Sequence, residues 1–329
     1  MNDTDYAVHG RIREWAFHPA FGLGNAHLQT VCGGLWPVRP RLRIRRERWE
    51  LPDGDFVDID WLGTDTDAPW ALVLPGLVGS LASPYAVRLL KRLAAAGYRA
   101  GLLNYRGLSG APNRLVTAYH AGFTDDLNLI ATRLAEHFAP GFVIGYSMGG
   151  NLLLKWLGEA GTAAPVAAAA AVSTPFRLAP AADGLCEGKA RYYGRYLTGY
   201  MRRFARRKFA RLAPPFPLPV FAELKNLRDF DERITAPLHG FAGAEDYYER
   251  ASCFPWLAQI TVPTLIVNAL DDPLIPRSCL PAAGDLSPSI TLELAEHGGH
   301  VGFLGRNRYG FPRFVIADRL LAFSSQHSD

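Results

Sequence analysis

The stretch "FVIGYSMGGNLLLKWL", Phe142 to Leu157, changes character at its centre. An apolar segment, Phe142 to Ile144, meets a serine held between glycines. A helix-like run, Asn151 to Leu157, follows, rich in leucine with Trp156 among few polar residues. A strand that turns sharply into a helix at G-x-S-x-G presents the serine hydroxyl at the tip of the turn, and glycines on either side relieve the crowding. Five residues of this kind also occur in ordinary turns, so what lies around them must identify the turn.

Working outward, strands and helices alternate. Trp70 to Leu74 reads as a buried strand, Tyr85 to Ala96 as a helix, Arg99 to Leu103 as a strand and Asp125 to Phe138 as a helix opened by Thr124, Asp125 and Asp126. Beyond the motif come strands at Val166–Val172, Thr264–Ala269 and Ile290–Leu294, and a last helix at Phe314–Phe323. Upstream, Arg43–Leu51 and Phe56–Trp61 flank "PDGD" as a hairpin. This rhythm predicts an α/β fold: a mostly parallel sheet covered on both faces and preceded by an antiparallel hairpin.

Residues 43–172 and 263–329 form the expected core, and 1–42 an irregular arm with short helical pieces. Residues 173–262 are too long for an ordinary connection and read as a helical insertion, or cap. Within it Leu197, Met201, Phe204 and Leu212 share one helical face, with Arg202, Arg203, Arg206 and Arg207 mostly turned away. Gly194 and Gly199 weaken that helix, and "APPFPLP", Ala213–Pro219, ends it.

About half of the 329 residues are hydrophobic and the formal net charge is only +4, so composition calls for a sizeable core and for no nucleic-acid partner. Cys32, Cys186, Cys253 and Cys279 are scattered without metal-like spacing, which fits a reducing compartment. No basic segment with an apolar core opens the chain, and the longest apolar run, Ala163–Val172, is too short to span a bilayer. A cytoplasmic location is the expectation.

A serine needs a base to take its proton and a carboxylate to orient that base. Ser147 is the candidate nucleophile. The backbone N–H of Met148 at the helix start, with that of Leu77 in "PGLVGS" after the Trp70–Leu74 strand, would cradle an oxyanion. "LDDPLIP" brings Asp271 and Asp272 to the C-terminal end of a strand, where sites in open α/β sheets lie, and either could serve. "EHGGH" ends at His300, after the last strand, completing the chain order serine, acid, histidine. His297 competes with His300, but no metal pattern surrounds the pair, and neither metal nor cofactor is expected. His120, Asp125 and Asp126 in "YHAGFTDD" are assigned to capping and packing, with His120 a candidate pocket wall.

Six stretches, "GNAHLQT", "NYRGLSG", "YHAGFTDDL", "GYSMGGNLLLKWLGE", "NALDDPLIP" and "EHGGHVGFL", together resemble the YheT-like branch of the α/β-hydrolase superfamily from residue 24 to residue 304. That branch includes lipase-like eukaryotic relatives and yeast ester-forming acyltransferases. The resemblance implies Ser147 as nucleophile, His300 as base and Asp272 as acid, because the family's aspartate is the one followed directly by "PLIP"; Asp271 is second choice. One departure stands out: relatives often carry His-Gly where this chain has Pro75 and Gly76.

The expected activity is hydrolysis of short or medium-chain carboxylic esters through an acyl-enzyme on Ser147. The insertion's Phe176, Tyr193, Leu197 and Tyr200 read equally as walls of an acyl pocket or as plain packing. Acyl transfer to an alcohol is the rival enzyme reading. A non-catalytic lipid-binding or membrane-surface protein is the rival of another class, resting on the basic segment of residues 202–211. A small ester or lipid-like molecule is the expected partner, and oligomeric state is not legible.

Overall fold

The computed structural model describes residues 9–35, 42–63, 68–307 and 309–327. The segment read for a targeting signal falls largely outside them. A nine-stranded sheet organises the chain. Its strands are β1 (Arg11–Glu14), β2 (Ile44–Glu50), β3 (Phe56–Leu62), β4 (Trp70–Leu74), β5 (Arg99–Asn104), β6 (Gly141–Tyr146), β7 (Val166–Val172), β8 (Thr264–Ala269) and β9 (Ile290–Ala295). They lie in the order β1-β9-β8-β7-β6-β4-β5-β3-β2. The β2–β3 hairpin is antiparallel and joins β5 antiparallel, while every other pairing is parallel.

The strands alternate between two apolar layers, as the period of two requires. Ala71, Val73, Phe142, Ile144 and Val267 face α2 (Pro84–Ala95) and α10 (Ile316–Ser324). Leu72, Leu74, Val143 and Ile266 face α3 (Asp125–His137) and α4 (Met148–Ala160). In α2, Pro84 occupies the first turn, where no N–H is missed, and Ala86, Val87, Leu89, Leu90 and Leu93 form the buried stripe. β6 is buried along its whole length, so its C-terminal end delivers Ser147 at the edge of a fixed platform.

Two expectations shift. The irregular arm contains β1, which adds to the sheet edge beside β9, and α1 (Ala26–Leu35); Arg11–Glu14 alternates weakly and its side of the sheet is exposed, so no hydrophobic pattern marks it. The last helix starts at Ile316 because Phe314 pairs with Leu304 in a small hairpin of β10 (Leu304–Arg306) and β11 (Pro312–Phe314). Helix α4 begins at Met148, immediately after the serine, as expected, with two glycines in its first turn.

Between β7 and β8 the chain forms α5 (Leu178–Gly184), α6 (Ala190–Phe209), α7 (Leu227–Phe230), a π-helical turn (Asp231–Thr235), α8 (Ala236–His239) and α9 (Ala244–Ala251). Helix α6 runs unbroken through Gly194 and Gly199. A Cβ on Gly194 would lie 2.3 Å from the Leu185 carbonyl oxygen, so that glycine is what lets α6 approach the end of α5. Helix α6 stops at Phe209, ahead of the proline-rich segment, and Leu212 therefore lies beyond its face.

Candidate active site

Ser147 has φ 53° and ψ −119°, outside the regions that non-glycine residues ordinarily occupy. The turn is so tight that a Cβ on Gly145 would sit 2.3 Å from the Gly149 carbonyl oxygen, and one on Gly149 would sit 2.4 Å from that of Leu74. Both flanking glycines are thus steric necessities. Ser147 N–H donates to the Val172 carbonyl (2.8 Å), and Asn151 donates to the Ala121 and Ala251 carbonyls (2.9 and 2.8 Å), locking the elbow to β7, to the loop before α3 and to the end of α9.

The Ser147 Oγ lies 3.0 Å from His300 Nε2, and His300 Nδ1 lies 2.9 Å from Asp272 Oδ2. Asp272 Oδ1 accepts from the N–H groups of Leu274 (2.8 Å) and Ile275 (3.2 Å). The Asp272 side chain is fully buried and that of His300 12% exposed, so the three groups adjoin with little water between them. With Asp272 accepting at Nδ1, His300 turns the lone pair of Nε2 to the serine hydroxyl.

Asp271 and His297 stand apart. Asp271 Oδ1 accepts from Gly299 N–H (2.9 Å), and its other oxygen lies 3.4 Å from His297 Nδ1. Asp271 therefore braces the glycine turn that carries His300. Among the described residues no group of histidines, cysteines and acids could hold a metal ion.

The loop after β4 is held by three tyrosines. Gly76 N–H donates to Tyr85 Oη (3.1 Å), Tyr105 Oη donates to the Pro75 carbonyl (3.0 Å), and Tyr119 Oη donates to the Leu77 carbonyl (2.6 Å). Leu77 and Met148 both line the cavity beside Ser147. The Pro75 departure thus leaves the loop anchored by side chains from three other segments.

Several contributors escaped sequence reasoning. Thr30 of α1 accepts the His300 N–H with its Oγ1 (2.9 Å), and Ser173 Oγ accepts the Val301 N–H (3.0 Å). Among the described residues the non-glycine positions with positive φ are Ser147, Ser173, Val301 and Phe303, all around this one site. Such strained backbone concentrates where surrounding structure over-determines it. The quoted motif "GNAHLQT" was the available signal for Thr30, but nothing in sequence said which loop it meets.

A cavity of about 120 Å³ opens on Ser147, Met148 and His300 and is walled chiefly by apolar groups from α5, α6 and α9, including Leu178, Leu197, Met201 and Tyr248. Of the four insertion residues expected there, only Leu197 is among its lining residues. Phe176 is buried in the core, Tyr193 bonds His27 (3.0 Å), and Tyr200 lines a separate outer cleft. His120 is not a wall of this cavity either: it is packed against Phe123, His239, Phe241 and Tyr247, and burial lowers its pKa to about 2. Asp126 forms a buried bidentate ion pair with Arg106 (2.8 and 2.6 Å), and Thr124 donates to Glu159 (2.6 Å), so neither side chain caps α3.

Comparisons with known proteins agree with this architecture. The family described as alpha/beta hydrolase fold matches residues 69–306. A protein of Escherichia coli (strain K12) named as an esterase, YheT, is 41% identical over 298 residues, covering 88% of this chain and 87% of its own. Phospholipase ABHD3 of Homo sapiens is 28% identical, covering 88% and 73%, and a medium-chain fatty acid ethyl ester synthase/esterase of Saccharomyces cerevisiae is 26% identical, covering 88% and 68%. Among solved structures, the Pyrococcus furiosus esterase Pf2001 superposes with a TM-score of 0.55 at 14% identity, over 87% of this chain and 93% of that one. With a sheet of this order, a serine elbow at the end of β6 and relatives named as esterases, the chain belongs to the YheT-like branch of the α/β-hydrolase fold family.

Proposed function

We propose that this protein is a serine esterase that cleaves short or medium-chain carboxylic esters through an acyl-enzyme on Ser147. The observation that carries the reading is the unbroken relay from Ser147 Oγ to His300 to the buried Asp272, opening on an apolar cavity. In this mechanism Ser147 Oγ attacks the acyl carbon as its proton passes to His300 Nε2, and Asp272 stabilises the imidazolium. The Leu77 and Met148 N–H groups receive the oxyanion. His300 then returns the proton to the departing alcohol, and water, activated by the same imidazole, releases the acid and restores Ser147. Four unpaired cysteines support a reducing, cytoplasmic setting.

A fluorophosphonate probe should label the wild type and not Ser147→Ala, which should also lose ester turnover by roughly a thousandfold or more. A folded wild type that never reacts would overturn the reading. Acyl transfer differs only in the second step, and the yeast relative's name gives it a specific motive. Turnover of a p-nitrophenyl ester in the presence of ethanol separates the two: free acid supports hydrolysis, ethyl ester supports transfer.

Contact with an anionic membrane surface is a second, separable proposal. Arg203, Arg207 and Arg211 are exposed along an outer cleft of about 530 Å³, and none has an acidic partner among the described residues' ion pairs. Co-sedimentation with anionic vesicles, lost on replacing these arginines with glutamine while ester turnover persists, is the expected result.

A further inference from the structure

One acidic residue is among those lining the cavity beside Ser147. Asp231, in the π-helical turn between α7 and α8, lines the same space as Leu178, Met201 and Ile275 and is partly buried. Its two oxygens are partly used: Oδ1 accepts from Thr235 Oγ1 (2.7 Å) and Oδ2 from Tyr248 Oη (2.8 Å). A carboxylate has about four acceptor sites, so capacity for a further donor remains. An apolar wall would have served a plain alkyl chain better, since an ionised group facing hydrocarbon without a new donor is costly.

We propose that Asp231 is a specificity residue that selects acyl groups carrying a hydroxyl, which it binds within the cavity that opens on Ser147. The inference rests on the esterase reading of Ser147. A cavity of about 120 Å³ suits a short acyl chain. The chemistry selects a hydroxyl over an ammonium. An ammonium brings three donors to a wall that offers one carboxylate, whereas a hydroxyl needs one acceptor.

The charged and titratable groups that face Asp231 are few. Arg228 of α7 lies close enough to favour its ionised form, but its guanidinium is engaged by Asp183 (2.7 and 2.9 Å) and Glu245 (2.8 Å). Tyr247 and Tyr248 of α9 and Tyr119 face it with phenols that burial keeps protonated, and His300 stands in the same cavity wall. Burial raises the Asp231 carboxyl to about 6. Below that value it is neutral and tolerates an alkyl chain; above it, it is charged and rewards a donor.

The test compares p-nitrophenyl hexanoate with 6-hydroxyhexanoate, and the butanoate with 3-hydroxybutanoate, by kcat/KM from pH 5 to pH 8. Within each pair, any pH dependence common to the two esters cancels in the ratio. In the wild type, at least one hydroxy ester should gain on its alkyl partner by about tenfold as pH rises through 6, the size of one hydrogen bond to a charged acceptor. In Asp231→Asn the ratio should be smaller and flat with pH. The wild-type profile needs no variant, so the inference remains testable if Asp231→Asn does not fold. A wild-type ratio that is flat in both pairs, with all esters cleaved and Ser147 labelled by fluorophosphonate, overturns it. So does stronger selection for 6-aminohexanoate than for the hydroxy ester. Absence of both labelling and cleavage instead brings down the esterase reading on which it rests.

Discussion

At the scale of single residues, the two neighbouring aspartates of "LDDPLIP" have divided tasks. Asp272 is fully buried against His300 Nδ1, whereas Asp271 holds the Gly299 N–H and reaches toward the half-exposed His297. Replacing Asp272 by asparagine leaves the shape but places an amide where an acceptor is needed, so kcat should fall by several orders of magnitude. Asp271→Asn keeps an oxygen for Gly299 and should cost less than tenfold. Equal losses in steady-state turnover of the two variants would contradict this division. Thr30 acts from a greater distance in sequence. Thr30→Val removes the acceptor for the His300 N–H, and kcat/KM should drop about fivefold for about 1 kcal/mol of lost positioning, with Thr30→Ser restoring it.

At the scale of elements, the elbow between β6 and α4 is a packing problem solved by glycine. Gly149→Ala would push a methyl toward the Leu74 carbonyl oxygen, 2.4 Å away, in a backbone that has no room to yield. A loss of about 1–3 kcal/mol is expected, visible as a lowered thermal midpoint, together with reduced fluorophosphonate labelling as Ser147 is displaced. The alternation of strand and helix was legible because buried strands and amphipathic helices have different periods: β4, β7 and β8 match the expected bounds to the residue. Elements with weak patterns were not. Strand β1 shows no buried face of its own, and β10 and β11 are three residues each, too short for any period to register. Helix α6 was readable as a helix, but its two glycines became intelligible only when Gly194 met the Leu185 carbonyl.

At the scale of the whole molecule, the motifs that carried the family resemblance turn out to be joints. Arg106 of "NYRGLSG" pairs with Asp126 of "YHAGFTDDL", and Asn151 beside the serine ties that same loop to the end of α9. The insertion is held to the core partly through a half-buried histidine pair, His120 and His239, whose rings lie 4.6 Å apart. Burial lowers His239 from 6.5 to about 4 and His120 further, so the folded protein resists protons that the unfolded chain accepts below pH 6.5. Stability should therefore fall as pH drops from 6.5 toward 4 on their account. Asp231, raised from 3.8 to about 6, works in the opposite direction, losing stability as pH rises through 6. Thermal midpoints of His239→Gln measured against the wild type isolate the first effect: the variant should lose less on acidification, and an unchanged pH slope would contradict it.

By itself the sequence determined the layered α/β frame and the candidates for serine, acid and histidine, because periodicity and turn chemistry are local and each residue carries them in its own neighbourhood. The family resemblance already favoured Asp272 over Asp271; only the tertiary structure brought it to His300, decided that the N-terminal arm props the histidine loop, and showed that the cavity wall contains Asp231 where Phe176, Tyr193 and Tyr200 had been expected. Those outcomes depend on contacts between residues up to 270 positions apart, and side-chain direction across such distances is set by how the helices pack rather than by any pattern along the chain.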